Sequence, residues 1–391
     1  MEDIRRSHRL NHAAPGENAN SSLAPARSVT GPFPRLNSTT AHIPLTVFLE
    51  KDLPRGEAVF SWSSRNNRKG RHALRLTSSI ADAPEAPLKT SNMHVILTNV
   101  GRMAAYFPVW DISYLVAIIF TLGSVIWVIN AFFAFLPLLQ AHTAFDGEAL
   151  YGGGITAFIG ATVFEIGSLL LMLEAINENR SACFGWAVEK AVKDGHAKLM
   201  PDKDHCEHHH RSKVHLLVGA GSAAEGAVFD GRSWAWLPSW SELKAHYIYE
   251  LGFLACTAQL FGATVFWISG FTALPGIYNN LEIPGAVDGI FWTPQVVGGA
   301  GFIVSGVLFM VETQRKWYVP APSIIGWHIG LWNLIGGVGF TLCPIFGYYS
   351  IASSWGAFQA SCSTFWGSWA FLVGSVAQWY ESLEKFPVEH V

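Results

Sequence analysis

Residues 153–174 read GGITAFIGATVFEIGSLLLMLE, and this stretch decides the fold. It is long and apolar enough to cross the hydrocarbon core of a bilayer, which takes about 20 residues of helix. Its only charged residues are Glu165 and Glu174. We therefore predict a transmembrane helix here and an integral membrane protein around it.

The pattern of this stretch returns twice further along the chain. In each copy a Gly is followed by a Phe, a pair of small residues and a terminal Glu at the same offsets. The members are Gly160, Phe164, Gly167, Ser168 and Glu174; Gly298, Phe302, Ser305, Gly306 and Glu312; and Gly367, Phe371, Gly374, Ser375 and Glu381. At about 100° per residue these positions fall on one side of a helix. The sequence thus predicts one type of helix built three times, with a seam of small residues.

The composition of the whole chain agrees with a membrane protein. Half of the residues are hydrophobic, only 14% are charged, and the mean hydropathy is +0.26. A soluble domain carries about 25% charged residues. Six apolar runs predict spans at 112–136, 153–176, 249–274, 295–313, 324–346 and 359–382. We predict an all-α, polytopic fold with six transmembrane helices.

The segments outside the spans differ in character. Residues 1–90 are rich in Ser, Pro, Asn and Arg and are predicted to be disordered. Residues 91–111 contain a short amphipathic stretch that suits an interfacial helix. Residues 177–248 form a polar loop, and 383–391 a short tail. The five cysteines show no metal or redox spacing, so we expect free thiols.

The odd-numbered spans share a looser pattern of their own. They read Phe120-Thr-Leu-Gly123-Ser124-Val-Ile-Trp127, Phe261-Gly262-Ala263-Thr264-Val265-Phe266-Trp267 and Gly336-Gly337-Val338-Gly339-Phe340. The unit is therefore a two-helix hairpin, present at 112–176, 249–313 and 324–382 in parallel orientation. Such repeats pack around an axis along the membrane normal.

The distribution of basic residues predicts the orientation. The links 137–152, 275–294 and 347–358 contain no Lys or Arg, whereas the N-terminal region, the 177–248 loop and the fourth link do. Basic segments remain on the cytoplasmic side. Both termini and the 177–248 loop are therefore predicted to be cytoplasmic.

The hairpins resemble a known family. Phe120-Thr-Leu-Gly123-Ser124 and Phe164-Glu-Ile-Gly167-Ser168 are similar to the F-x-x-G-S signatures of the YrhK-like membrane family, whose modules have two helices. Spans three and four depart from the signature, with Gly262-Ala263 and Ser305-Gly306. Larger chains of this kind resemble uncharacterised fungal integral membrane proteins. The resemblance implies a hairpin fold and supplies no catalytic residue or ligand.

Two interpretations are open for the seam and for the acids that end it. Small residues let helices approach closely inside one chain, but they also suit a pore lining or a subunit contact in a homo-oligomer. Glu174, Glu312 and Glu381 are either interfacial anchors or an acidic ring at a pore mouth. As anchors, Glu312 is expected to pair with Arg315 or Lys316, and Glu381 with Lys385.

Glu165 lies near the middle of span two and is absent from the other copies. A carboxylate at that depth costs about 2.5–3.5 kcal/mol, so we expect a partner or a protonated side chain. The expected partners are Asn130, Gln259, His328 and Asn333. A buried hydrogen-bonded acid, a proton or cation site, and a lipid-facing residue are the three alternatives.

The polar loop contains His205, Cys206, His208 and His210, with His215 beyond. These residue types bind Zn²⁺, but consecutive histidines rarely form a closed tetrahedral site. A solvated loop and a regulatory zinc site are both open, and no other cofactor is expected.

We predict a non-enzymatic structural or scaffold protein of the membrane, because polar residues in the spans are few and dispersed. A small proton- or cation-linked transporter that uses Glu165 is the alternative. Membrane lipids are the expected partners, with a homo-oligomer as an open alternative and no nucleic acid.

Overall fold

The computed structural model describes residues 28–46, 57–76, 88–185, 187–188, 234–283, 285–350 and 352–390. Its α-helices are α1 Ser64–Arg68, α2 Met93–Ala105, α3 Ile112–Leu139, α4 Gly154–Ile176, α5 Trp240–Ala245, α6 Leu251–Thr272, α7 Pro275–Tyr278, α8 Thr293–Glu312, α9 Ile325–Gly347 and α10 Ser354–Leu383. Its strands are β1 Ser28–Thr30, β2 Thr40–Thr46, β3 Glu57–Ser63, β4 Ala73–Leu76 and β5 Val388–His390. Two π-helical turns, Glu148–Gly153 and Asp288–Trp292, lead directly into α4 and α8.

Among the described residues, five helical segments are long and apolar enough to cross a membrane. They are Ile112–Leu139, Glu148–Ile176, Leu251–Thr272, Asp288–Glu312 and Ile325–Gly347. Their outward faces expose large apolar side chains, among them Leu122, Ile129, Ile166, Phe261 and Val304. A soluble protein rarely exposes such faces, whereas lipid favours them. The chain is a helical, multi-pass membrane protein, as its composition predicts.

The sixth long helix, α10, is not among these five. It has 30 residues but also carries many polar ones. Most of these polar side chains point into the bundle: Ser363, Thr364, Ser368, Ser375 and Gln378 are all buried. Its low hydropathy therefore reflects residues that face other helices.

The six long helices pack side by side in a ring. α3, α4, α6, α8, α9 and α10 each contact the next in chain order, and α10 closes the ring against α3. Helices that follow each other through short links run antiparallel, and we call the pairs α3–α4, α6–α8 and α9–α10 hairpins.

Glycine brings the two helices of each hairpin together in a reciprocal way. A Cβ on Gly123 of α3 would lie 2.5 Å from the Phe164 ring of α4, and one on Gly160 of α4 would lie 2.9 Å from the Trp127 ring of α3. Between α6 and α8, a Cβ on Gly262 would lie 3.2 Å from the Phe302 ring and one on Gly298 would lie 2.7 Å from Phe266 Cβ, but each would first meet the backbone carbonyl of the facing glycine. Between α9 and α10, a Cβ on Gly336 would lie 2.7 Å from the Phe371 ring and one on Gly367 would lie 3.2 Å from the Phe340 ring. The glycines therefore allow close approach of the facing backbone and of the aromatic residues.

These aromatic side chains fill the centre of the helix bundle. Each long helix contributes one buried aromatic side chain, and together they form a single cluster: Trp127, Phe164, Phe266, Phe302, Phe340 and Phe371. Their centroids are 4.9–6.5 Å apart in edge-to-face and tilted contacts. Such pairs contribute about 0.5–1.5 kcal/mol each beyond the area that they bury. We call this cluster the aromatic layer.

A five-stranded sheet of order β1-β2-β3-β4-β5 covers one end of the ring. The first four strands are antiparallel, and β4 pairs in parallel with β5, with Leu74 opposite Val388. Disorder was predicted for residues 1–90, and it is wrong for 28–46 and 57–76; residues 1–27 lie outside the described residues. The sequence pattern did not predict the sheet, because β4 completes its pairing with the distant C-terminal tail, where Leu74 lies opposite Val388.

The interfacial stretch forms α2, which lies against α10. Its buried Asn99 donates a hydrogen bond from Nδ2 to Glu384 Oε2. Met93, Leu97 and Val100 remain exposed, so the helix presents an apolar face away from the bundle.

The cysteines differ from one another. Cys256, Cys343 and Cys362 are free thiols, as predicted. Cys183 is disulfide-bonded, which corrects the prediction for that residue.

Candidate functional site: a charged plug in the helix ring

The three glutamates that end α4, α8 and α10 lie at the end of the ring that the sheet covers. Residues 64–71, SRNNRKGR, connect β3 to β4. This segment enters the ring of helices between the three glutamates. The turn begins where the Ser63 hydroxyl accepts a hydrogen bond from the Asn66 amide at 3.1 Å, which caps α1. Gly70 then takes a φ of 59°, which suits glycine, and the chain returns to β4. We call residues 64–71 the charged plug.

Arg68 of the plug binds Glu312 at the end of α8. Its Nη1 and Nη2 donate to Oε1 and Oε2 at 2.6 and 3.0 Å, a fork geometry that fixes both planes. The Ser64 hydroxyl adds a third bond to Oε1 at 3.0 Å. Gly252, the second residue of α6, makes this possible because a Cβ there would collide with the Arg68 guanidinium.

Arg65 binds Glu381 at the end of α10 in the same way. Its Nε and Nη2 donate to Oε1 and Oε2 at 3.0 and 2.6 Å. Arg71 Nη1 donates to the same carboxylate at 3.1 Å. Gly326, the second residue of α9, leaves space for Arg65 just as Gly252 does for Arg68.

Lys69 connects the remaining glutamate to this cluster. Its Nζ lies 3.4 Å from Glu174 Oε1 and 4.0 Å from Glu381 Oε2. The Ser113 hydroxyl, at the start of α3, donates to the same oxygen of Glu174. All three repeated glutamates therefore have partners on the plug.

Burial makes this cluster unusual. The exposed fractions of Glu174, Glu312 and Glu381 are 0%, 1% and 1%, and the plug cations are almost as buried. Burial lowers the pKa of Lys69, and the two neighbouring carboxylates only partly oppose it. Burial also acts to lower the pKa of Arg65, but the Glu381 carboxylate outweighs it, so the pKa is raised. Charges this deep are tolerated only when they are paired and hydrogen-bonded.

A second layer of contacts holds the plug in place. Lys385, beyond α10, pairs with Asp111 at 2.7 Å and donates to the Lys69 carbonyl at 2.8 Å. The Ser181 hydroxyl, after α4, donates to the same carbonyl at 3.1 Å. The plug is thereby held by the segments just before α3 and just after α4, and by the C-terminal tail.

The chain matches no protein-family model, no curated protein and no solved structure. Its function is therefore inferred from the geometry of its own residues.

The ion pairs differ from those that helical spacing predicts. Glu312 does not pair with Arg315 or Lys316, which are exposed, and Lys385 pairs with Asp111 instead of Glu381. Local spacing gave the wrong partners because the plug, more than 100 residues before any of these glutamates, competes for them. Of the two alternatives for these glutamates, an unpaired acidic ring does not form, because plug cations pair with all three carboxylates.

The candidate ion site does not form as one cluster. Within the described residues, Glu165, Asn130, His328 and Asn333 make no hydrogen bonds to one another. Asn130 Nδ2 donates to Gly153 O at 2.6 Å, His328 Nε2 lies 2.7 Å from Pro322 O, and Asn333 Nδ2 donates to Ile329 O at 2.8 Å.

Glu165 instead contacts Thr264 on the outer side of the α4–α6 contact. The Thr264 hydroxyl lies 2.9 Å from Glu165 Oε1 and 2.9 Å from Leu260 O. The Thr264 hydroxyl donates to Glu165 Oε1 and is also within hydrogen-bonding distance of the Leu260 carbonyl, one turn earlier in α6. Glu165 Oε2 is buried without a hydrogen-bond partner in the described residues.

The other predicted residues fall into two groups. The twelve residues of the seam are all buried in the bundle, on the inner sides of α4, α8 and α10. His205, Cys206, His208 and His210 lie outside the described residues. Among the residues that the structure describes, no group of three or more His, Cys, Asp or Glu could hold a metal ion.

The plug cations Arg65, Arg68, Lys69 and Arg71 were not identified from the sequence. A signal for them existed, because four cations within seven residues stand in the same chain as three repeated glutamates. Because the stretch that contains these cations was predicted to be disordered, nothing connected them with the three glutamates.

Proposed function

We propose that this chain is a non-enzymatic structural protein of the membrane, a scaffold without a transport pathway. The observation that carries the proposal is the aromatic layer, in which one ring from each long helix occupies the centre of the bundle. The charged plug occupies the same axis at one end. A pathway along this axis would need polar groups or water where six aromatic side chains pack.

The proposed architecture has six spans in three two-helix repeats. α10 is the sixth span in this proposal because its buried polar residues face the bundle, while Trp369, Val373 and Val376 are exposed on its other side. The repeat is supported by the reciprocal glycine–aromatic contacts of the three hairpins. The F-x-x-G-S positions lie at those contacts, which suits the proposed relation to the YrhK-like family.

The proposed orientation places both termini in the cytoplasm. The parallel pairing of β4 with β5 holds the N-terminal sheet and the C-terminal tail at one end of the bundle. The links at the other end, 140–153, 273–292 and 348–353, contain no Lys or Arg. By the positive-inside rule the sheet-covered end is cytoplasmic. The apolar face of α2 would then lie on the inner leaflet, with lipids as partners.

Reconstitution tests the scaffold against a transporter. Purified full-length protein is placed in liposomes that contain a pH-sensitive dye or a potassium-sensitive dye, with empty liposomes as the control. Proton and potassium fluxes should equal those of empty liposomes, while an added ionophore should dissipate each gradient. A flux that is specific to the protein and lost in Glu165→Gln would overturn the proposal.

Proton- or cation-linked transport is the second candidate. One observation favours it: the buried Glu165 Oε2 has no hydrogen-bond partner among the described residues, as a proton-exchanging site would allow. Such a pathway would follow the outer side of the α4–α6 contact and not the centre of the ring.

A further inference from the structure

A cavity of about 370 Å³ lies inside the ring, at the end opposite the charged plug. Its base is formed by Trp127, Phe266 and Phe340 of the aromatic layer. Its far side is formed by the links, with Leu150, Tyr278 and Trp292 among the lining residues. Ligand sites typically have volumes of about 300–1,000 Å³ and apolar walls with a few polar groups.

The walls of this cavity follow the internal repeat. Each long helix contributes one residue at an equivalent position, three residues after the aromatic ring on α3, α6 and α9, and seven before it on α4, α8 and α10. These residues are Asn130, Ala157, Ser269, Gln295, Cys343 and Thr364, and all of them line the cavity. Five of these six residues are polar, Ala157 being the exception, and they lie one to two helical turns beyond the aromatic base.

Three of these polar groups are buried with unused hydrogen-bonding capacity. Asn130 is 7% exposed, and its Nδ2 donates to Gly153 O at 2.6 Å and Thr156 Oγ1 at 3.0 Å, while its Oδ1 accepts no hydrogen bond from the described residues. Gln295 is 6% exposed, and its Nε2 donates to Phe291 O at 3.3 Å, while no described residue donates to its Oε1. The Ser269 hydroxyl, 2% exposed, has no partner in the described part of the chain.

The chemistry of the walls selects the ligand. None of the described lining residues is charged, which disfavours an ion or a phospholipid headgroup. Each of the two amide oxygens can accept a hydrogen bond, which favours a ligand with a hydroxyl that donates to one of them. The aromatic walls and the compact volume favour a rigid ring system over an extended chain. We propose that this cavity binds a neutral, ring-containing lipid alcohol of the sterol type.

Binding of tritiated cholesterol to the full-length protein in mild detergent tests the proposal. Saturable binding is expected, and excess unlabelled cholesterol should displace the label, whereas cholestane, which lacks the hydroxyl, and oleyl alcohol, which lacks the rings, should not. Absence of saturable binding would overturn the proposal. Equal displacement by cholestane would show that the hydroxyl is not needed for binding. Equal displacement by oleyl alcohol would show that the ring system is not needed. Either result would also contradict the proposal.

Two further readouts place the ligand in this cavity. Gln295→Met should weaken cholesterol binding at least about tenfold, which is about 1.4 kcal/mol. Gln314→Met, which removes a buried glutamine at the plug end, should leave it unchanged. Bound cholesterol should also slow the alkylation of Cys343, which lines the cavity, relative to Cys362, which does not. Equal binding by Gln295→Met and wild type would move the site elsewhere.

Discussion

The guanidinium of Arg68 donates hydrogen bonds of 2.6 and 3.0 Å to the carboxylate of Glu312, which lies 244 positions later in the chain. The arginine precedes the first span and the glutamate ends the fourth. Arg65 and Glu381 repeat the relationship at the end of α10. The glutamates that end α8 and α10 thus bind a segment that precedes all six long helices.

Gly123→Ala should destabilise the bundle. The new Cβ would lie 2.5 Å from the Phe164 ring, and overpacking of this type costs about 1–3 kcal/mol. Unfolding of the purified protein in increasing SDS, followed by circular dichroism, measures the effect. Phe164→Leu in the same chain should recover part of the loss.

A matched glycine gives the control for that variant. A Cβ on Gly101 of α2 would meet nothing within 4 Å, so Gly101→Ala should be neutral or stabilising by about 0.5–1 kcal/mol. Equal destabilisation by both substitutions would show that the close approach of α3 and α4 is not what Gly123 provides.

Glu165→Gln should preserve the fold. The amide oxygen of glutamine can accept the hydrogen bond from Thr264 as the carboxyl oxygen does, so the change in unfolding free energy should lie within about 0.5 kcal/mol. Thr264→Val removes the same hydrogen bond and should cost about 0.6 kcal/mol, typical of interhelical bonds in membranes. A much larger loss in Glu165→Gln would indicate that the carboxylate is ionised and paired.

Glu250 should make stability depend on pH. It lies one residue before α6, and burial raises its pKa from 4.5 to about 7, with a further rise from Glu178 and opposing effects of His246 and Asn37. The folded state therefore holds a proton that the unfolded state loses. Stability attributable to this group should fall as pH rises from about 4.5 to about 7.

Thermal unfolding in one detergent across that pH range measures the effect. Glu250→Gln, which cannot ionise, should flatten the decline relative to wild type. A decline of the same slope in both proteins would assign the pH dependence to other groups.

Much of the membrane part can be predicted from sequence because its signals are local. The apolar length of 153–174 and the recurrence of Phe164, Phe302 and Phe371 both follow from residues close together in the chain. The burial of these residues in one cluster follows from the fold. Even so, the hydropathy of α10 alone does not identify a span, since buried serines lower it.

The charged plug could not be predicted in this way. The strands that flank it, β3 and β4, are short, and β4 pairs in parallel with β5, more than 300 residues later. Its cations are stable in the interior only because glutamates from three helices converge on them. The cations and the glutamates lie too far apart in the chain for any local sequence pattern to connect them. From the local sequence alone, Arg65 and Arg68 look like ordinary solvated residues.

The most direct test of the charged plug is a double-mutant cycle on Arg68 and Glu312, with the exposed pair Arg75–Glu389 as its control. Breaking the buried pair from one side should cost about 3–5 kcal/mol, because it leaves a buried charge unpaired, and the second substitution should recover part of that loss. Arg75 and Glu389 should couple by about 0.2–1 kcal/mol. If the coupling of Arg68 with Glu312 is no greater than that of the exposed pair, the plug does not occupy the helix ring as described here.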